Sequence, residues 1–120
     1  CIRDSLLLAQ GVVVICAGGG GIPVTRDADG RLAGVEAVVD KDATSALLAR
    51  ELGADALLLL TDVPAVELDW GTAHPRALRT AGVASLARVP FAAGSMAPKV
   101  RAACDFVAAT GGMAAIGRLE

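Results

Sequence analysis

A lysine near the carboxyl end of the chain follows a short glycine-containing turn, in the segment Gly94-Ser95-Met96-Ala97-Pro98-Lys99-Val100. Apolar residues recur at helical spacing after Pro98, so this turn is predicted to open a helix. A helix start presents unpaired N–H donors and positive dipole potential, and Lys99 would add a full charge beside them. This combination suits a phosphate group. The alternative is an ordinary helix start, with Ser95 as N-cap, Pro98 in the first turn and Lys99 in solvent.

A second lysine lies in Asp40-Lys41-Asp42, where an extended segment is predicted to lead into another helix. Asp42 is a suitable N-cap for that helix. Lys41 is harder to explain, because a lone cation beside a helix N-terminus is mildly unfavourable for the dipole unless an anion is bound there. The motif is therefore either a plain helix cap or part of an anion site, with two carboxylates that could hold the ammonium group in place.

A run of four glycines, Gly18, Gly19, Gly20 and Gly21, follows a predicted buried strand at its carboxyl end, the edge where open α/β sheets bind ligands. Glycine lets backbone N–H groups approach an anion and allows a positive φ. The loop lacks the lysine of a Walker motif, and it does not open a helix as a dinucleotide fingerprint would. It is either a tight turn or the place where a small ligand approaches the backbone.

Asp62 ends the next predicted strand, again at its carboxyl edge. An aspartate there can simply cap a turn. It could equally contact a nucleotide ribose or hold a metal ion through water.

The helices and strands predicted around these residues indicate an α/β fold with an open, mainly parallel sheet and flanking helices. Residues 12–15 form a β-branched run typical of a strand buried on both faces, and residues 54–60 predict a second buried strand. A helix over 42–52 between them implies a right-handed parallel crossover. The remaining predictions are a helix over 2–10, an exposed hairpin over 23–35, a surface loop over 69–80, a short helix over 83–88 and a strand over 113–116.

Composition excludes several classes of function. The chain has 120 residues, 54% of them hydrophobic but only 2% aromatic, so its core must be built from aliphatic side chains. A net charge of −2 provides no broad basic face for nucleic acid or anionic lipid. The longest apolar runs are far shorter than the roughly 20 residues of a membrane helix. Cysteines at positions 1, 16 and 104 lack metal-ligand spacing, which favours reduced thiols and a cytoplasmic location.

Taken in order, the motifs resemble those of one family. They are Gly18-Gly19-Gly20-Gly21-Ile22-Pro23-Val24, Gly34-Val35-Glu36-Ala37-Val38-Val39-Asp40-Lys41-Asp42, Leu60-Thr61-Asp62-Val63 and the segment 94–100. This set closely resembles the carbamate kinases, which have the amino-acid-kinase fold, a three-layer α/β/α arrangement. The resemblance implies phosphoryl transfer between ATP and carbamate, usually run toward ATP from carbamoyl phosphate and ADP in arginine fermentation. It also implies Mg²⁺ with the nucleotide, a cytoplasmic enzyme and a homodimer in the full-length protein.

The resemblance also implies roles for individual residues. Lys41 and Lys99 would bind and neutralise the transferred phosphates, Asp42 would orient the lysines, and Asp40 would assist. The glycines 18–21 would lie near the carbamoyl group. Asp62 would border the nucleotide together with Gly94, Ser95 and Met96, and no residue is assigned as a metal ligand. Removal of either lysine is expected to slow transfer greatly with little loss of fold.

The chain departs from the family pattern in two ways. Ala97 stands where many relatives have glycine, and the family's N-terminal half and final strands have no counterpart here. Residues 1–120 are therefore expected to form a single partial domain, the nucleotide-binding C-terminal half, which would bind nucleotide without being active alone. The alternatives are another amino-acid kinase, such as an acetylglutamate or glutamate kinase, and a non-catalytic nucleotide-binding or dimerisation module.

Overall fold

The fold is described from a computed structural model, which covers residues 2–91, 94 and 96–119. The chain combines helices with short strands, as expected for an α/β protein. In order the elements are α1 (Ile2–Ala9), β1 (Val24–Arg26), β2 (Leu32–Gly34), α2 (Lys41–Glu51), β3 (Ala56–Leu60), β4 (Glu67–Leu68), β5 (Arg76–Ala77), α3 (Val83–Leu86), α4 (Met96–Thr110) and β6 (Met113–Gly117). Within the described residues, no helix has both the length and the apolar character needed to cross a bilayer.

The core lies where α2 and α4 pack on the parallel strands β3 and β6. These strands pair from Ala56 opposite Met113 to Leu60 opposite Gly117. Side chains alternate across a strand, and in β3 only Leu57 and Leu59 are buried, while their neighbours are exposed. The buried cluster joins both helices to β3 and consists of Ala46, Leu57, Leu59, Ala102, Ala103 and Phe106. The small alanines let the two helices lie close together, so their N-terminal ends are held side by side.

The start of α2 differs by two residues from the sequence prediction. Asp40, not Asp42, is the N-cap: its backbone is extended, with φ −65° and ψ 131°, and its side chain accepts hydrogen bonds from the amides of Asp42 and Ala43. Asp42 already lies within the first turn. The predicted end is confirmed, because Gly53 follows the helix with φ +66°, a conformation that glycine adopts without strain.

The exposed hairpin predicted over 23–35 is confirmed as β1 and β2, paired antiparallel. Its turn is held by the carboxylate of Asp27, which accepts hydrogen bonds from the amides of Asp29 and Arg31 at 3.0 and 2.8 Å. The surface loop predicted over 69–80 is wrong in one respect. Residues 76–77 form β5, which pairs with β4 in a second short hairpin.

The strand predicted over residues 12–15 is not formed. Val13 is 90% exposed and Ile15 is 99% exposed, and no described strand pairs with this segment. The β-branched side chains favour an extended backbone, but a strand also requires a neighbour to satisfy its hydrogen bonds. The parallel connection therefore runs from β3 through α3 and α4 to β6, and not from residues 12–15 through α2 to β3. The α/β class stands.

Candidate functional site

An ion pair joins the starts of α2 and α4. The ammonium group of Lys99 donates hydrogen bonds to both carboxylate oxygens of Asp42, each at 3.0 Å. Only 6% of each residue is exposed, although 57 positions separate them in the sequence. Burying two charges is costly unless they pair closely, and this pair makes two charge-assisted hydrogen bonds. The contact fixes the position of Lys99 relative to the first turn of α2.

The burial of Lys99 removes the alternative in which this lysine is simply solvated. It also changes the expectation that replacing Lys99 would leave the fold intact, because such a change would strand the buried carboxylate of Asp42. The side chain of Lys41 is different, since it is exposed at the first residue of α2. Replacing it removes a charge without opening the core.

The free amides at the start of α2 are largely satisfied from within the chain. The Oδ1 atom of Asp40 accepts hydrogen bonds from the amides of Asp42 at 3.0 Å and Ala43 at 2.9 Å. The anion at this helix start is thus the carboxylate of Asp40 itself. Lys41 would meet a phosphate with its side chain, while Asp40 stabilises the helix that carries it.

The tetraglycine loop, residues 18–21, is docked against α2. The amides of Gly20 and Gly21 donate to the carbonyl of Ala17 at 3.0 and 2.7 Å, which closes the turn. Gly20 is buried and has φ +144°, and a Cβ atom there would lie 2.2 Å from the carbonyl oxygen of Val39. Gly20 is therefore required for packing, whereas Gly18, Gly19 and Gly21 are exposed at the surface.

Asp62 lies directly after β3, as predicted, and its side chain is exposed. Its Oδ1 atom accepts a hydrogen bond from the hydroxyl of Thr61 at 3.1 Å. In the described part of the chain, no hydrogen bond or ion pair connects Asp62 to Lys41 or Lys99. The structure thus unites the Asp40-Lys41-Asp42 motif with Lys99 and with the glycine loop, and leaves Asp62 after the end of β3 without a bond to this group.

A groove of about 770 Å³ between α2 and α4 borders this site. Asp40 and Gly94 line it at the helix starts, but Lys41 and Lys99 do not. Met96 begins α4, while Ser95, which the family resemblance assigns to the nucleotide, lies outside the described residues. The groove is adjacent to the lysines and does not enclose them.

Two features of the described side chains bear on metal binding and on the reactivity of one thiol. Among residues 2–91, 94 and 96–119, no group of three or more His, Cys, Asp or Glu residues is arranged to hold a metal ion. Burial raises the pKa of the Cys104 thiol, and the neighbouring charge of Asp105 acts in the same direction. A raised pKa keeps the thiol protonated, which makes Cys104 a poor nucleophile.

Thr44 is a residue that the sequence analysis missed. Its hydroxyl donates to the carbonyl of Gly20 at 2.9 Å, across 24 positions of the chain. A threonine in the first turns of a helix is common, and nothing in its spacing indicates a distant loop as its partner. Only the docking of the glycine loop on α2 brings the two together.

Comparison with known proteins places this geometry in a family. Residues 4–116 match the model of the Amino acid kinase family. The chain is 56% identical over 115 residues to the carbamate kinase of Rhizobium meliloti and 50% identical over 114 residues to that of Haemophilus influenzae. These alignments cover 94% and 95% of the chain but 36% and 37% of the relatives, so the chain spans little more than a third of their length.

A solved structure shows the same similarity in three dimensions. The carbamate kinase from Giardia lamblia bound to AMP-PNP superimposes with a TM-score of 0.89 at 40% identity, covering 97% of this chain and 42% of that one. The resemblance to carbamate kinases is confirmed, as is the amino-acid-kinase fold. With a family match over nearly its whole length, the chain belongs to the amino acid kinase family.

Proposed function

We propose that this chain forms the nucleotide-binding part of a carbamate kinase, which transfers a phosphoryl group between ATP and carbamate. The observation that carries the proposal is the buried pair of Lys99 and Asp42, with Lys41 exposed beside it on the same helix start. The pair presents one ammonium group in a fixed place, and Lys41 offers a second on a flexible stem. Similarity to carbamate kinases of R. meliloti and H. influenzae supplies the substrate class.

The proposed roles follow from the demands of phosphoryl transfer. The transition state is loose and carries its charge on phosphate oxygens, so positioning and charge stabilisation do most of the work and no protein nucleophile is needed. Lys41 and Lys99 neutralise the transferred group, while Asp42 orients Lys99 and Asp40 caps the helix that carries Lys41. The loop 18–21 lies near the carbamoyl group.

The nucleotide is proposed to lie along the segment Gly94, Ser95 and Met96, with Asp62 at its border. This assignment comes from the family resemblance. Gly94 lines the groove between α2 and α4, which supports it.

Mg²⁺ fits this site only as a partner of the nucleotide. Asp42 is bonded through both oxygens to Lys99, and Asp40 uses its Oδ1 atom to cap α2, so these two residues together do not supply the oxygens of a metal cage. Mg²⁺ keeps several waters and commonly binds substrate phosphates with few protein ligands. When bound, it supplies neutralisation of phosphate charge, and the exposed Asp62 is the carboxylate that could hold it through water.

The wider setting is proposed from the same resemblance. We expect residues 1–120 to act as one partial domain, to depend on the remainder of a carbamate kinase for transfer, and to operate in a cytoplasmic homodimer in arginine metabolism. ATP or ADP and carbamate or carbamoyl phosphate are the partners, without nucleic acid or membrane.

The test uses a hybrid enzyme, in which this chain replaces the matching 115 residues of the R. meliloti carbamate kinase. The expected result is ATP formation from ADP and carbamoyl phosphate, which a coupled luminescence assay measures. Acetylglutamate and glutamate serve as competing acceptors in the reverse direction. Transfer to either of them in preference to carbamate would favour the related kinases. ADP binding by calorimetry with no transfer to any acceptor would leave a nucleotide-binding module.

A further inference from the structure

We propose that Thr44 is a positioning residue, whose hydroxyl holds the tetraglycine loop against the start of α2. Its Oγ1 atom lies 2.9 Å from the carbonyl oxygen of Gly20 and 3.1 Å from that of Asp40. The two carbonyls share the single hydrogen of this hydroxyl, and the longer contact, with Asp40, is the bond that a threonine ordinarily makes to the preceding turn of its helix. The contact with Gly20 is different, because it ties a separate loop to the helix.

The same glycine also lies close to the chain just before α2. Gly20 packs so closely on the backbone of Val39 that no side chain would fit between them. Val39 precedes the Asp40-Lys41-Asp42 motif in the sequence and Thr44 follows it. The loop therefore contacts residues on both sides of that motif. The hydrogen bonds from Gly20 and Gly21 to Ala17 shape the turn but do not attach it to α2.

The consequence for the reaction rests on the proposed function, in which this loop lies near the carbamoyl group. Loss of one hydrogen bond weakens the attachment by about fivefold in the equilibrium between docked and loosened loop. Carbamoyl phosphate would then meet a partly disordered loop, whereas ADP would not. We therefore expect the KM for carbamoyl phosphate to rise, by at most about fivefold, with the KM for ADP unchanged.

The key variant is Thr44→Val, which removes the hydroxyl while keeping the branched shape of the side chain. Thr44→Ser keeps a hydroxyl at this position and should leave the KM for carbamoyl phosphate at its original value. The matched control is Ser45→Ala, because the hydroxyl of Ser45 donates to the carbonyl of Lys41 at 2.8 Å, within the helix and away from the loop. If Thr44→Val does not fold in the hybrid enzyme, Thr44→Ala replaces it.

Two measurements keep this inference separate from the proposed function. Hydrogen–deuterium exchange of a peptide covering residues 17–22 should be about fivefold faster in Thr44→Val than in Ser45→Ala, whether or not the enzyme turns over. Equal exchange in the two variants would overturn the inference, as would an equal rise in both KM values. Faster exchange in a hybrid that transfers no phosphate would uphold the positioning by Thr44 and reject the proposed function.

Discussion

Variants of the pair of Asp42 and Lys99 are expected to affect stability and turnover differently. In the hybrid enzyme, Asp42→Asn removes the charge that balances Lys99 while keeping the size of the side chain. Both side chains are 8% exposed and joined at 3.0 Å, so the change leaves an ammonium group buried without its counter-charge. Breaking a buried pair in this way costs about 3 kcal/mol or more of the free energy of unfolding. Lys99→Met, which strands the carboxylate instead, should cost a similar amount.

The double variant Asp42→Asn with Lys99→Met should recover part of the stability but not the turnover. It leaves no unpaired charge, so its loss of stability should be smaller than the sum of the single losses, with a coupling energy of about 2–3 kcal/mol. Turnover should not recover, because the cation that neutralises the phosphate is gone. Urea unfolding and the ATP-forming assay on the four proteins measure both quantities. Strictly additive losses of stability would refute the pairing, and normal turnover by the double variant would refute the role of Lys99.

Three further predictions concern the loop, the exposed lysine and the core. Gly20→Ala should displace the loop and speed hydrogen–deuterium exchange over residues 17–22, because the new Cβ would collide with the carbonyl of Val39; at Gly19 a Cβ atom meets nothing within 4 Å, so equal exchange rates in Gly20→Ala and Gly19→Ala would contradict this packing. Lys41→Met should lower kcat by at least about 100-fold with little change in the unfolding midpoint, since its side chain is exposed; a normal kcat would exclude a phosphate contact. Phe106→Ala should cost about 3–5 kcal/mol in urea unfolding, because Phe106 is only 1% exposed at the centre of the cluster, and a loss under about 1 kcal/mol would contradict that packing.

Local sequence patterns correctly predicted the features whose formation depends on residues close together in the chain. The hairpin of β1 and β2 followed from the Asp-Gly turn between Asp29 and Gly30, and the end of α2 from Gly53, because these signals act within a few residues. The prediction of a strand over residues 12–15 was wrong because a strand depends on residues far away in the sequence. The β-branched composition of this segment favours an extended chain, but pairing depends on a partner strand that the composition cannot supply.

The candidate site was also only partly predictable from the sequence. The motifs containing Lys41 and Lys99 could be recognised from their residues, and the family resemblance grouped them. The burial of Lys99 could not be read from its sequence position, since it depends on how closely α2 and α4 approach. The hydrogen bond from Thr44 to Gly20 was likewise hidden, because a loop 24 residues away supplies the acceptor.

The measurement that tests the central claim most directly is a crystal structure of the hybrid enzyme with a non-hydrolysable ATP analogue. The claim is that Lys41 and Lys99, from the starts of α2 and α4, contact the transferred phosphate. The account predicts that both ammonium groups lie within about 3 Å of oxygens on the terminal phosphates, with Lys99 still bonded to Asp42. Terminal phosphates bound away from both lysines would contradict it.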